Sequence, residues 1–239
     1  MREVIHRLVR RTGYDVVRFD GRRFASARRL ELLAGRGVSL VLDVGANDGS
    51  SARELRSGGY RRRIVSFEPQ SEAYERLVAA SSADPAWACR RIAVGAVDGE
   101  AIFHLAGNSS SSSLLPMTEQ HIMSAPASRY TGDEVVAVAR LDSLAGDLVQ
   151  DDDVIFLKVD VQGAELDVLD GARAVLAKAV VVDVELSLAE LYEGGAAAHD
   201  VVAFLEERGF VLVTLEPVFS DPRTERLLQV NGIFALPRV

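Results

Sequence analysis

Three stretches of this chain bring together side chains whose types and spacing suit chemistry. The first is Val41-Leu42-Asp43-Val44-Gly45-Ala46-Asn47-Asp48-Gly49-Ser50, where an apolar run ends in a carboxylate and a glycine turn. Gly45 permits close backbone approach, and Gly49 the turn geometry that opens a helix. The second is Ile64-Val65-Ser66-Phe67-Glu68-Pro69, whose Glu68 lies 25 residues after Asp43. A carboxylate at a strand end can accept hydrogen bonds from both hydroxyls of a ribose, and Pro69 stiffens the chain beside it. The third is Lys158-Val159-Asp160-Val161-Gln162-Gly163, followed by Glu165 and then by Asp183 and Glu185. The last two acids are two apart and share one face of a strand.

The first stretch limits the cofactor. A dinucleotide fingerprint anchored at Gly45 needs glycines at 47 and 50, where this chain has Asn47 and Ser50. The turn therefore suits a ligand without a pyrophosphate, and a nicotinamide-dependent oxidoreductase is only the runner-up. Asp43 suits the ammonium end of an amino-acid moiety. In the third stretch, Asp160 and Gln162 leave a strand on the same edge as Gly45, and Glu185 ends nearby. These three are the candidate catalytic residues. Glu165, in the first helical turn, complements the helix dipole. A cation held by Asp160 and Glu185 is an open alternative, although no dense ligand motif accompanies them. Of the four histidines, His104 and His121 lie near a serine-rich stretch, Asn108 to Ser113, and His121 is the better candidate base. That stretch reads either as a lid or as a linker.

Strands must position these residues. Apolar runs give strands at 40–44, 64–67, 88–94, 154–159, 179–186, 210–215 and 228–236, with two strand-like segments at 101–105 and 134–140. Helices fall at 50–58, 71–83, 164–176 and 199–208. Ser71 serves as an N-cap, with Tyr74, Leu77 and Val78 facing inward. The alternation implies βαβ units and a doubly wound parallel α/β sheet, Rossmann-like and seven-stranded, that ends in an antiparallel hairpin. Residues 1–39 form a helical N-terminal extension and 40–239 the main domain. Within the extension, Val4, Ile5 and Leu8 mark a short amphipathic helix, either packed on the domain or lying on a membrane surface. A single cysteine, Cys89, excludes an internal disulfide and a CxxC zinc site, and fits a reducing cytoplasmic setting. The net charge of −8 argues against nucleic-acid binding. No secretory signal or membrane-spanning run is visible. Oligomeric state stays open.

With these motifs in order, the sequence resembles the FkbM-type methyltransferases. VLDVGANDGS, IVSFEP, LKVDVQGAELDVLDGA, LYEG and DPRTERLLQVNGIF carry the resemblance over residues 40–236. It implies an S-adenosylmethionine-dependent enzyme that methylates a hydroxyl of a sugar, glycolipid or other natural product. Asp43, Gly45, Asn47, Gly49, Glu68, Pro69 and Asp160 would hold the donor, and topology puts Ala93 and Val94 against its adenine. Methyl transfer from a sulfonium is an in-line displacement, so positioning supplies much of the catalysis, and an alcohol acceptor also needs a base or a metal. A methyltransferase-like module without turnover is the alternative from another class. One departure from the family pattern is Asn231, where Asp is frequent. The expected outcome in a thermal-shift comparison is stabilisation by S-adenosylmethionine or its product and none by NAD or NADP at matched concentration. Stronger stabilisation by a dinucleotide would overturn this reading of the turn.

Overall fold

The structure is a computed structural model that describes residues 10–13, 20–21 and 24–238. The amphipathic helix expected around Val4, Ile5 and Leu8 lies outside these residues. Helix α1 (Ala25–Gly35) precedes β1 (Leu40–Val44), α2 (Ser50–Ser57), β2 (Arg63–Phe67), α3 (Ser71–Ser81) and β3 (Trp87–Arg90). Next come β4 (Ala93–Val94), β5 (Gly99–Ala106), α4 (Glu119–Ser124), β6 (Tyr130–Ala139) and α5 (Leu141–Leu148). The chain ends with β7 (Ile155–Val159), α6 (Glu165–Asp170), α7 (Arg173–Leu176), β8 (Ala179–Ser187), α8 (Ala198–Glu206), β9 (Val211–Ser220) and β10 (Leu227–Ala235).

Seven strands form one sheet in the order β3-β2-β1-β7-β8-β10-β9. β1, β2, β3, β7 and β8 run parallel, and β10 is antiparallel to both β8 and β9. The short link between β9 and β10 permits only an antiparallel pair. The strand order reverses direction at β1, where ligands of open α/β sheets bind. This is the doubly wound seven-stranded sheet expected from the sequence.

Strand alternation sends side chains to two cores. Leu40, Leu42 and Val44 of β1 join Ile155, Leu157 and Val159 of β7 on one face. Val41, Phe156, Val181 and Ile233 pack on the other, with Leu32 and Leu33 of α1 and Leu55 of α2. Toward the carboxyl ends of the parallel strands this second face turns polar. Val41 is followed at two-residue spacing by Asp43, Phe156 by Lys158, and Val181 by Asp183 and Glu185. On the antiparallel β10 the same face runs from Ile233 through Asn231 to Gln229.

Four local expectations need correction. The third strand ends at Arg90; Ala93 and Val94 leave it to pair with Val138 and Ala139 in a separate sheet of order β4-β6-β5. Ser71 is not the N-cap of α3. Gln70 holds that position, and the Glu134 carboxylate takes the Ser71 amide at 3.1 Å and also its hydroxyl. Leu77 is fully buried, but Val78 is 41% exposed. The helix expected over 164–176 breaks at Gly171, where a Cβ would stand 2.1 Å from the Gly95 carbonyl oxygen. The Asp142 carboxylate then receives the amides of Ala174 and Val175 at the start of α7.

α1 is tied to the sheet by charge as well as by apolar contact. Arg29 pairs with Asp183, whose side chain is 3% exposed, and with Glu216 at 2.9 Å. Arg29→Ala would leave the Asp183 carboxylate buried and unpaired, at a cost of about 3–5 kcal/mol. Urea denaturation should show that loss, and the double variant Arg29→Met, Asp183→Leu should recover most of it. An Arg29→Ala protein as stable as wild type would show that the pair is not part of the folded core.

Candidate active site

The turn after β1 is shaped by close backbone approach. Gly45 has φ +80°, and a Cβ there would lie 1.7 Å from the carbonyl oxygen of Asp160. The amides of Gly45 and Ala46 both donate to the Phe67 carbonyl, at 3.1 and 3.0 Å. Asn47 has φ +47°, and Gly49 is left-handed at the N-cap of α2. These contacts fix β1, β2 and β7 around one point, and no larger residue fits at Gly45.

Glu68 follows β2 and is 6% exposed. Its Oε2 accepts the Asn47 amide at 2.8 Å and its Oε1 the Gln70 amide at 2.9 Å. Burial pushes its pKa up to about 7, against the pull of those two amides. Each oxygen keeps a second lone pair for a further donor. Beside it is a narrow apolar slot lined by Pro69, Ile92, Ala93, Val94, Phe103 and Leu114. The residues expected around an adenine are thus gathered, with Ala93 and Val94 contributed by the small sheet.

Slot and turn open into a cavity of about 340 Å³. Gly45, Asn47 and Glu68 line it on one side, and Lys158, Asp160, Gln162, Glu185 and Gln229 on the other. Gln162 is the hub of that second side. It has φ +59°, and its side-chain amide donates to Asp160 Oδ1 at 3.0 Å and to Glu185 Oε2 at 2.7 Å. Its Oε1 lies 2.8 Å from the Tyr192 hydroxyl, and its backbone carbonyl accepts the Ser113 hydroxyl at 2.7 Å. Gln229 gives Glu185 Oε2 a second amide donor, at 2.7 Å. Burial, then Asp160 and Glu165, raises the Glu185 pKa well above the usual carboxylate range.

Glu165 caps this turn more closely than a dipole argument requires. Its carboxylate accepts the amides of Gly163 and Val161, and burial lifts its pKa to about 7. Asp43 stands behind the turn, outside the first cavity. It accepts the Ser66 hydroxyl at 3.1 Å and lies 3.8 Å from the Lys158 ammonium. Lys158 also pairs with Asp160 at 3.2 Å. Burial alone would lower the lysine's pKa; Asp160, Asp43 and Asp183 outweigh it and raise it.

The serine-rich stretch is an ordered wall of the cavity. Asn108 caps a 3₁₀ turn over Ser109–Ser111, and the Ser109 hydroxyl donates to the Asn47 side chain at 3.0 Å. His121 lies on the same wall, edge-on to Tyr192, with centroids 5.1 Å apart. Burial depresses its pKa to about 4, and its Nδ1 has no hydrogen-bond partner. His104 turns away, its Nδ1 2.6 Å from Asp133, and does not line the cavity. Sequence reasoning did not assign Lys158, Tyr192 or Gln229 to the site. All three fall inside the recognised motifs, but the motifs alone do not bring them together; Gln229 reaches Glu185 through the antiparallel register of β10.

Residues 43–212 match the Methyltransferase FkbM domain. The chain belongs to the FkbM methyltransferase family. It is an S-adenosylmethionine-dependent methyltransferase, and the oxidoreductase alternative falls away. It is 28% identical over 174 residues to the 2-O-methyltransferase NoeI of Sinorhizobium fredii, covering 70% of this chain and 71% of that protein. Among solved structures it is similar to Streptococcus pneumoniae Sp1610 in complex with S-adenosyl-L-methionine, at 14% identity and TM-score 0.47 over 89% of this chain and 73% of that one. It is also similar to an rRNA methylase from Streptococcus thermophilus, at 10% identity and TM-score 0.47 over 89% and 96% of the two chains.

The raised pKa of Glu68 fixes the sign of a pH effect. A folded pKa of about 7 against an ordinary value of 4.5 gives stability that is full below pH 4.5 and lost as pH rises through about 7. Donor-free wild type should lose up to about 3 kcal/mol over that window through this group, and Glu68→Gln should not. Urea titrations across the pH range measure the difference; parallel profiles would mean that Glu68 titrates as an ordinary carboxylate.

Proposed function

We propose that the enzyme methylates a hydroxyl oxygen of a sugar or other hydroxylated natural product, and that Glu185 receives the hydroxyl proton. The observation that carries this reading is the joining of Asp160, Gln162 and Glu185 by hydrogen bonds in the cavity that Gly45 and Glu68 also line. The similarity to a 2-O-methyltransferase supports an oxygen acceptor.

In this reading Glu68 takes the ribose hydroxyls, and Pro69, Ala93 and Val94 flank the adenine. Gly45, Asn47 and Gly49 shape the turn under the donor, with Asp160 beside its amino-acid end. Asp43 acts from behind, by holding Lys158. The fit rests on the Gly45 cradle, which a Cβ would close, and on the apolar slot beside a buried carboxylate with lone pairs to spare. The donor supplies a methyl carbon whose bond to sulfur breaks as its bond to the acceptor oxygen forms. The residues of this chain orient the hydroxyl and remove its proton. Glu185 is assigned as the base because its Oε1 makes no hydrogen bond within the network, and burial, which raises its pKa above the usual carboxylate range, makes it more basic than an ordinary carboxylate. His121, neutral at physiological pH, lines the acceptor side and can accept a hydrogen bond there.

The Gln162 amide nitrogen donates to both Asp160 and Glu185, occupying the space a shared cation would need. Among the described residues no group of three or more His, Cys, Asp or Glu side chains is placed to hold a metal ion. The Gln162 bridge supports assigning the acceptor chemistry to side chains. The net charge of −8 favours a small-molecule or glycan acceptor over a nucleic acid. A cytoplasmic location fits the single cysteine. No described helix is long and apolar enough to cross a membrane.

Methyl transfer to a panel of hydroxylated acceptors, with and without chelator, tests this. Glu185→Gln should lower kcat by about 100-fold or more and leave donor affinity unchanged, and chelator should leave wild-type activity intact. Full activity of the variant would remove Glu185 as the base; rescue of chelated enzyme by magnesium or manganese would establish a metal route.

A further inference from the structure

A second cavity, of about 360 Å³, lies on the same sheet face beside the first. The two share Ser51, Lys158, Asp160 and Val218. Its floor is the polar end of that face, with Asp43 and Asp183. Its other walls are α1, α2 and the β9–β10 ribbon, which contribute Ser26, Glu54 and Asn231.

Most of the charge here is already paired. Arg29 holds Asp183 and Glu216, and Lys158 holds Asp160 and Asp43. The hydrogen-bonding capacity is not used up. Among the described residues, the side chains of Asn231, Ser26 and Ser51 make no hydrogen bond, and all three are half-buried. Asp43 Oδ1 is buried without a hydrogen bond, and the Lys158 ammonium at 3.8 Å is too far to give one. Asn231, Ser26 and Ser51 are thus free to bond a ligand that enters the cavity.

The ribbon adds an apolar contact. The β9–β10 register slips between Gln229 and Val230, which leaves Val218 without a partner on β10. Bulges re-aim side chains, and they recur next to active sites. Val218 is 50% exposed and stands where the two cavities meet. Neutral donors and acceptors and one isopropyl group together complement a polyol with an apolar C–H face. An anion would meet five carboxylates, and four of these are already held by Arg29 and Lys158, which leaves only the exposed Glu54 for a cation.

We propose that this second cavity is the acceptor subsite and takes one neutral sugar ring. Asn231, Ser26 and Ser51 read its hydroxyls, Val218 packs on its C–H face, and the hydroxyl to be methylated points past the shared wall toward Asp160 and Glu185. The inference rests on the methyl-transfer reading and deepens it. It also gives Asn231 a role: an amide both donates and accepts, whereas the aspartate frequent at this position can only accept when ionised.

The test is saturation-transfer NMR on the full chain loaded with S-adenosylhomocysteine. The probes are neutral methyl glycosides of glucose, galactose, mannose, rhamnose and fucose, with glucosaminide, glucuronide and cyclohexanol as controls. At least one neutral glycoside should bind in preference to the controls. Asn231→Leu and Val218→Asp should each weaken that binding at least tenfold, while calorimetry gives unchanged S-adenosylhomocysteine affinity. Val218 sits on an exposed bulge, so its variant keeps the test valid if Asn231→Leu does not fold. The proposal is overturned if the loaded wild type binds none of the neutral glycosides, prefers a charged probe or cyclohexanol, or is matched in glycoside binding by both folded variants. Failure of the wild type to bind S-adenosylhomocysteine would instead defeat the underlying donor reading, and this inference with it.

Discussion

Lys158 is the interaction on which the rest of the site depends. Its ammonium lies between the carboxylates of Asp43 and Asp160, with Asp183 beside it on the next strand. Burial by itself would drive off the proton; the acids around it keep it on. Without that cation, the ends of β1, β7 and β8 would present like charges to one another in a low-dielectric interior. With it, three parallel strands can end in acids on one face. Arg29 does the same for Asp183 from outside the sheet, which makes α1 part of the site's electrostatics as well as its packing.

The second constraint is steric. Two backbone segments meet where Gly45 faces the Asp160 carbonyl, so the turns that follow β1 and β7 cannot move apart independently. Among the described residues, two of the three non-glycine residues with positive φ, Asn47 and Gln162, flank this meeting point. Such strain persists where surrounding contacts over-determine it. Gln162 is held by its own hydrogen bonds, by Glu165 beneath the turn, and by Ser113 across the cavity. The result is a set of polar atoms fixed before any substrate arrives.

Much of this was legible in the sequence because it rests on local signals. Asp43 and Gly45 follow a buried strand, Glu68 ends the next one, and Asp183 and Glu185 share a face by simple alternation. These needed only strand order to be placed on one edge. What sequence did not reveal depends on contacts between distant segments. Gln229 reaches Glu185 through antiparallel register, and a bulge two strands from Glu185 decides where Val218 points. Ser71 looks like an N-cap, yet Glu134, 63 residues away, supplies the carboxylate. The break at Gly171 has a similar origin, in the approach of the Gly95 carbonyl. The serine-rich stretch had no periodicity to read, and its order comes from hydrogen bonds to Asn47, Gln162 and Ser128.

The departure of Ala93 and Val94 from the third strand has a mechanical consequence. The apolar slot has one wall, Pro69 and Phe67, on the large sheet and another, Ala93, Val94 and Phe103, on the small one. Separate sheets can open as separate cooperative units, with their own protection against hydrogen exchange. An aromatic base between them would act as a rivet, so that the small sheet borrows stability from the large one while the donor is bound. Loss of the donor would then loosen the serine-rich wall as well, since that wall is carried between two strands of the small sheet. The protein's grip on the methyl donor and the order of its acceptor side would thus be two readings of a single equilibrium.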